Sequence, residues 1–458
     1  MDDVITMAED LEIPTLGKCQ VKSPLYSIME WGGVSPKFVR DHEKVLFDPT
    51  SYQGHHRQKN KKALAVELAG PRSQIYFNPS KTKCAIVTCG GLCPGINDVI
   101  RAIVMAMFYR YGVRTILGVP YGYQGFIPEY GHPIRELRPQ DVAHIHREGG
   151  NILGSSRGEQ DPKRIVDFLV QNEIQILFVI GGDGTLRGAL KITKEIERRN
   201  LKISIIGVPK TIDDDILYID QSFGFETAFS EAVRSIISAH NEAHGVFNGV
   251  GLVKLMGRYS GFIACYAALA MNDVNFVLIP EVPFELYGEH GFLEVLRRRL
   301  AARKHAVIVV AEGAGQDLMG EEELGRDASG NLRLKDVGLF LREKILTYFK
   351  GKKVDINVKY IDPSYIIRSV PASPQDSVFC LRLAEYAVHA AMSGRTQMVV
   401  GKRNGFYVHL PMSLVATGRK RVNPDGFLWF SVLNATGQPV SFFNPPISKS
   451  NLKRIKRK

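Results

Sequence analysis

The chain has 458 residues, with 45% apolar and 23% charged side chains and a formal net charge of +12. That length exceeds one ordinary core and predicts two or three α/β domains, and the composition excludes wholesale disorder. No run is long enough to cross a bilayer, and the acidic start MDDVITMAEDLE lacks the order of a signal peptide, so a cytoplasmic protein is expected.

Up to about Pro79 the periodicity is weak, and the basic run His55–Lys62 reads as an exposed loop. From Lys83 the pattern changes. The apolar run Cys84–Gly91 ends in glycines and is followed by the helix-like IRAIVMAMFYRYG. Strand-like Thr115–Gly122, strand-like Ile176–Gly182, a periodic helix over Leu186–Arg199 and the strand Ser204–Pro209 come next. A second series begins near residue 249, with strand-like GVGLVKLM, Asn275–Glu281, His305–Gly313 and Val358–Asp362. Helices are predicted near Gly261–Ala270, Gly291–Lys304 and Asp336–Lys350. A long helix, Asp376–Ser393, leads into a hairpin turning at Arg403–Gly405.

Apolar runs closed by glycine and alternating with helices mark buried parallel strands. The fold class is therefore α/β, with two Rossmann-like doubly wound lobes on mainly parallel sheets and a smaller region built from both termini. The expected boundaries are 80–222 with 376–406 for the first lobe, 223–375 for the second, and 1–79 with 407–458 for the small region. Six cysteines are scattered, and Cys89 and Cys93 lack a second ligand pair for zinc; reduced thiols are expected. Six of the positive charges, Lys449, Lys453, Arg454, Lys456, Arg457 and Lys458, lie in a tail without an acid. It reads as a solubilising end, and no nucleic-acid or membrane partner is expected.

Polar clusters fall where strands end, which is where open α/β sheets bind ligands. Gly181-Gly182-Asp183-Gly184-Thr185 closes a strand and opens a helix, so its glycines and helix N-terminus suit phosphate, with Asp183 near a metal ion. Lys210-Thr211-Ile212-Asp213-Asp214-Asp215 places three acids together after a strand. Adjacent carboxylates repel, so a cation must hold them, and phosphoryl transfer needs a carboxylate base, a metal-holding carboxylate and cations. Met256-Gly257-Arg258 offers a guanidinium for phosphate, and Gly90–Gly95 precedes a helix. Glu281 and Glu312 end two further strands. Neither a P-loop nor a G-x-G-x-x-G turn after a strand is present.

These segments resemble the phosphofructokinase family. TCGGLCPGIN (Thr88–Asn97), GGDGT (Gly181–Thr185), PKTIDDDI (Pro209–Ile216), MGR (Met256–Arg258), PEVPF (Pro280–Phe284) and AEG (Ala311–Gly313) occur in the family's order. The likeness is closest to the plant and kinetoplastid ATP-dependent branch. It implies Mg²⁺-assisted transfer of the ATP γ-phosphoryl to the 1-hydroxyl of fructose 6-phosphate, the committed step of glycolysis, by an allosteric homotetramer. Asp213 resembles the catalytic base, Thr211 the hydroxyl that helps hold phosphoryl and sugar, and Lys210 and Arg258 the cations of the transfer. Asp183 and Asp215 resemble the carboxylates that organise Mg²⁺. Gly91, Arg157, Gly182, Gly184 and Thr185 fall with Asp183 on nucleotide-site positions. Met256, Gly257, Glu312 and Arg368 resemble sugar-site residues, Arg368 holding the 6-phosphate. Lys359 and Tyr365 fall where bacterial members have Arg and His. Arg101 matches one effector residue of bacterial members, but Met105 stands where a second basic residue is expected.

Pyrophosphate-using relatives usually carry Asp where Gly184 stands, so Gly184 points to ATP, although they share Lys210. A pyrophosphate enzyme and a non-catalytic subunit of the same family are the alternatives; retention of Asp183, Asp213, Asp215 and Arg258 argues against the latter. Lipid and NAD kinases share the Gly-Gly-Asp-Gly-Thr turn alone. Where the family usually reads Thr-Ile-Asp-Asn-Asp this chain has Asp214, expected to point to solvent.

Overall fold

The computed structural model describes residues 11–26, 38–49, 64–320, 325–326 and 333–444. The His55–Lys62 run and the basic tail lie outside them. Two compact units emerge. The first draws on Met1–Ala228, Arg326–Leu332 and Tyr365–Lys420, the second on Phe229–Gly325, Arg333–Ser364 and Arg421–Lys458.

The first unit carries a nine-stranded sheet. Its order is Lys44–Leu46, Ala65–Leu68, Phe406–Pro411, Met398–Arg403, Ser204–Pro209, Ile176–Gly181, Lys83–Thr88, Thr115–Val119 and Arg135–Glu136. The five strands from Met398–Arg403 to Thr115–Val119 run parallel, and the pairs at both sides are antiparallel. In Ile176–Gly181 and Ser204–Pro209 every residue is buried, so an unbroken apolar run and not an alternating one forms these strands. Each buried Val, Leu or Ile contributes about 1.5–3 kcal/mol. Val87, Val179, Ile205 and Val399 join one core with Leu186, Ala189 and Ile192 of the helix Asp183–Arg198. The predicted hairpin is present, and Arg403 pairs with Phe406 across Asn404-Gly405.

The second unit holds a four-stranded, wholly parallel sheet ordered Phe276–Leu278, His305–Ala311, Gly249–Leu255, Asn357–Ile361. Leu293, Leu296 and Leu300 of helix Phe292–Arg303 and Leu341, Ile345 and Phe349 of helix Val337–Gly351 pack on it. Parallel strands joined by helices bury both sheet faces and leave polar residues at the strand ends.

Candidate active site

In the first unit three neighbouring parallel strands end together, and the turns after them carry the site. Lys83–Thr88 leads into Gly90-Gly91, Ile176–Gly181 into Gly182–Thr185, and Ser204–Pro209 into Lys210–Asp215. The turns are tied: Cys89 N–H donates to the Ile180 carbonyl at 3.0 Å and Lys210 N–H to the Gly181 carbonyl at 3.0 Å.

Glycine has two different reasons here. A Cβ on Gly181 would lie 2.3 Å from Thr185 Oγ1, so the fold itself requires glycine there. On Gly184 a Cβ would meet nothing nearer than Arg187 Nη2 at 3.9 Å, and on Gly91 nothing nearer than Arg157 Nη2 and Arg368 Nη1, both at 3.7 Å. At Gly184 and Gly91 a Cβ would make only ordinary van der Waals contacts, so the fold itself does not require glycine at either position. Gly182 caps the helix Asp183–Arg198, whose first N–H groups and dipole favour an anion.

Cations surround the same space. Lys210 is buried, and its ammonium donates to the Gly91 carbonyl at 2.6 Å. Burial lowers its pKa, and the charges of Arg157 and Arg368 add to the lowering. Arg368 stacks on the Tyr365 ring at 4.7 Å, and its Nε is buried without a hydrogen-bond partner. Three cations around a glycine turn are stabilised by an arriving anion. The structure thus places Arg368, expected to hold the sugar 6-phosphate, beside Gly91 and near Lys210 of the catalytic set, with Arg157 of the nucleotide-site positions on the same glycine; Tyr365 is 74% exposed beside it.

The acidic turn is organised by hydroxyls and cations. Thr211 Oγ1 donates to Asp215 Oδ1 at 2.9 Å and accepts from Asp213 N–H at 3.2 Å. Burial raises the pKa of Asp215, while Thr211 and Arg419 oppose that. Asp214 does not point to solvent as expected. It is 4% exposed, its Oδ1 accepts from Ser222 N–H at 2.8 Å, and its Oδ2 pairs with Lys420 Nζ at 2.6 Å. Burial pushes its pKa up to about 6 despite that lysine. Its φ of 54° lies in the left-handed region that Asn and Asp tolerate best, which explains how Asp replaces the family's Asn.

Asp183 and Asp215 converge on one cation. Arg419 Nη2 lies 3.2 Å from Asp183 Oδ2, and Arg419 Nε lies 3.6 Å from Asp215 Oδ2. Asp183 also pairs with Arg187 one helical turn on. Two hard carboxylates aimed at one positive charge fit Mg²⁺, which takes one or two carboxylates and completes its shell with water and substrate phosphates. Among the described residues no group of three or more His, Cys, Asp or Glu is arranged to cage a metal. Arg419 and Lys420 were not among the site residues expected from the sequence.

In the second unit, Met256-Gly257-Arg258 and Glu312 are brought together by two paired strands, with Leu255 opposite Ala311. Glu312 N–H donates to the Leu255 carbonyl at 2.8 Å and Gly313 N–H to the Gly257 carbonyl at 3.1 Å. Gly257 has φ 125°, and a Cβ on Gly313 would lie 2.0 Å from the Arg258 carbonyl oxygen, so both glycines allow the turns to touch. Glu281 braces the same unit: Oε1 accepts from Gly261 N–H at 3.0 Å and Val422 N–H at 2.8 Å. Lys359 is placed apart. It pairs with Gly251, about 13 Å back along the strand from Leu255 at ~3.3 Å per residue. Its ammonium is 3.6 Å from Glu242.

Residues 83–391 match the family model described as Phosphofructokinase. A protein of Borreliella burgdorferi named ATP-dependent 6-phosphofructokinase is 48% identical over 441 residues, which are 95% of this chain and 98% of that one. A protein of the same name from Amycolatopsis methanolica is 46% identical over 95% of this chain and 96% of its own. ATP-dependent 6-phosphofructokinase 7 of Arabidopsis thaliana is 45% identical over 97% of this chain and 89% of its own. Among solved structures, a pyrophosphate-dependent phosphofructokinase from Marinobacter aquaeolei superposes with TM-score 0.63 at 19% identity, over 80% of this chain and 94% of its own. The T-state phosphofructokinase of Pichia pastoris gives 0.61 at 19% identity, over 84% of this chain and 42% of its own. At those identities the two structures speak to the fold alone.

Proposed function

Because this chain belongs to the phosphofructokinase family, we propose that it is an ATP-dependent 6-phosphofructokinase, transferring the ATP γ-phosphoryl to the 1-hydroxyl of fructose 6-phosphate. The observation that carries the donor assignment is that the fold does not itself require glycine at 184, which stands in the first turn of a helix whose N-terminus favours an anion. Glycine there is kept for the donor phosphate, and an Asp side chain would meet it with like charge.

Each role follows from placement. Gly91, Gly182, Gly184 and Thr185 hold the donor phosphates through backbone N–H groups, and Arg157 and Arg368 add charge. Lys210, fixed on the Gly91 carbonyl, faces the transferring phosphoryl. Asp213 removes the proton from the sugar hydroxyl as the oxygen attacks, and Thr211 holds its backbone in place. Asp183 and Asp215 would hold Mg²⁺, which supplies positive charge to the donor phosphates. Met256, Gly257, Arg258 and Glu312 form the sugar-recognition group, Arg258 neutralising charge on the transferring group. Lys359 is left out within one chain, since it faces Glu242. The working form is proposed to be a cytoplasmic homotetramer, which light scattering after gel filtration tests.

A coupled assay of fructose 1,6-bisphosphate formation with Mg²⁺, given ATP or pyrophosphate as sole donor, tests the proposal. Turnover with ATP alone is expected. Turnover with pyrophosphate alone would assign the donor to Lys210 over Gly184, and silence with both would point to a non-catalytic subunit.

A further inference from the structure

Arg419 occupies a position that neither the family pattern nor the proposed reaction accounts for. One guanidinium spans two carboxylates that come from the ends of different strands, Asp183 after Ile176–Gly181 and Asp215 after Ser204–Pro209. The placement is enforced by the chain around it. Ile216 and Arg419 form an isolated antiparallel bridge, and Lys420 N–H donates to the Asp215 carbonyl at 2.9 Å. The Lys420 ammonium binds Asp214 Oδ2 at 2.6 Å and the carbonyls of Asp220 at 3.1 Å and Ile219 at 3.3 Å. Residues 419–420 are therefore sewn to the acidic turn from a point some two hundred positions later in the chain.

Two nearly buried acids aimed at one point repel each other strongly unless a cation sits between them. The guanidinium and a divalent cation claim the same oxygen lone pairs on Asp183 and Asp215, and both cannot hold them at once. We infer that Arg419 is the resident counter-ion of the divalent-cation site: it keeps Asp183 and Asp215 together while no metal is bound and is displaced from them when the metal arrives. Arg419 is thus a positioning residue that sets metal affinity, preventing the acidic turn from springing apart at the cost of weaker metal capture. This rests on the proposed assignment of Asp183 and Asp215 to the metal.

Mn²⁺ binding to the nucleotide-free full chain, followed by electron paramagnetic resonance, tests it. Arg419→Ala and Arg419→Gln are each expected to bind Mn²⁺ on the order of tenfold more tightly than wild type, since a competing cation has gone. Both are expected to unfold at lower temperature without metal, and Mn²⁺ is expected to restore more of the midpoint than it adds to wild type. Circular dichroism confirms that the variants fold, and Gln keeps hydrogen bonds without charge if Ala collapses the turn. Unchanged or weaker Mn²⁺ binding in a folded variant overturns the inference. If Asp183→Asn abolishes Mn²⁺ binding while both Arg419 variants bind as wild type does, the metal assignment stands and the counter-ion role falls. If Asp183→Asn also changes nothing, the metal assignment falls and takes the inference with it.

Discussion

Asp214 shows how far one side chain's setting can depart from its local sequence. Asp214 is expected from the sequence to point to solvent, yet it is buried, and Lys420 meets it from a segment some two hundred positions later in the chain. Asp214→Ala removes the acceptor for Ser222 N–H, takes its acid from the half-buried Lys420 and puts alanine at φ 54°. The expected loss is about 2–4 kcal/mol. Asp214→Asn keeps the acceptor and a residue suited to that φ, so a loss of about 1 kcal/mol or less is expected. Urea denaturation of the two variants separates these outcomes. Gly184→Asp makes the opposite contrast. Its Cβ meets only the tip of Arg187, so stability is expected to hold within about 0.5 kcal/mol. Meanwhile kcat/KM for ATP falls at least ~100-fold, which is about 2.7 kcal/mol of transition-state binding. Site glycines and acids were legible because they stand at strand ends in a recognisable order. Arg419 and Lys420 were not, since nothing local distinguishes a basic turn that meets solvent from one that meets carboxylates.

At the scale of single elements, strands buried on both faces were legible, because burial of every residue writes a continuous apolar run closed by glycine. The strand Ala65–Leu68 was not. Its sequence AVEL carries a glutamate where a buried strand should be apolar, and the reason is again distant. Glu67 Oε1 is bound by Arg72 Nη2 at 2.9 Å, by His409 Nδ1 at 2.8 Å and by Arg395. Burial opposes its ionisation, but His409 and Arg395 overcome this and hold its pKa at about 2, below the ordinary 4.5. Burial also keeps His409 below its usual pKa, so at neutral pH it serves as a hydrogen-bond donor and the arginines supply the charge. A depressed folded-state pKa contributes stability above pH 4.5 and loses it as the pH falls through about 2, a contribution of roughly 2–3 kcal/mol. Glu67→Gln is expected to cost about 1–3 kcal/mol at pH 7, because Arg72 and Arg395 lose a charged acceptor but keep Asp41, at 3.1 and 2.8 Å. Its stability should then fall less steeply than that of wild type between pH 5 and pH 3. Equal slopes for the two proteins in acid denaturation would remove Glu67 as the titrating group.

For the whole molecule, the net charge of +12 suits anionic substrates, and half of it lies beyond the described residues in the basic tail. Deleting residues 448–458 is expected to leave kcat/KM for ATP within about twofold at 0.15 M salt, where the Debye length is only ~8 Å. A larger loss in steady-state kinetics would assign the tail a part in substrate capture. Two α/β sheets were legible from the two series of apolar runs, and the hairpin from its turn residues. The ordering of strands within each sheet was not, because register between distant segments is set by packing and not by local pattern.

That ordering has a consequence for how the protein is made. Met398–Arg403 and Phe406–Pro411 sit inside the nine-stranded sheet, between Ser204–Pro209 and Ala65–Leu68. During synthesis the strand Ser204–Pro209 leaves the ribosome about 190 residues before its neighbour exists, with one edge and an apolar face unpaired. At ~5–20 residues per second that edge stays open for some ten seconds or more, long enough for nascent chains to pair with one another. The last strands to be translated are the ones that close the first unit, so a chain cut before Met398 is expected to need a chaperone that holds it, and to aggregate without one.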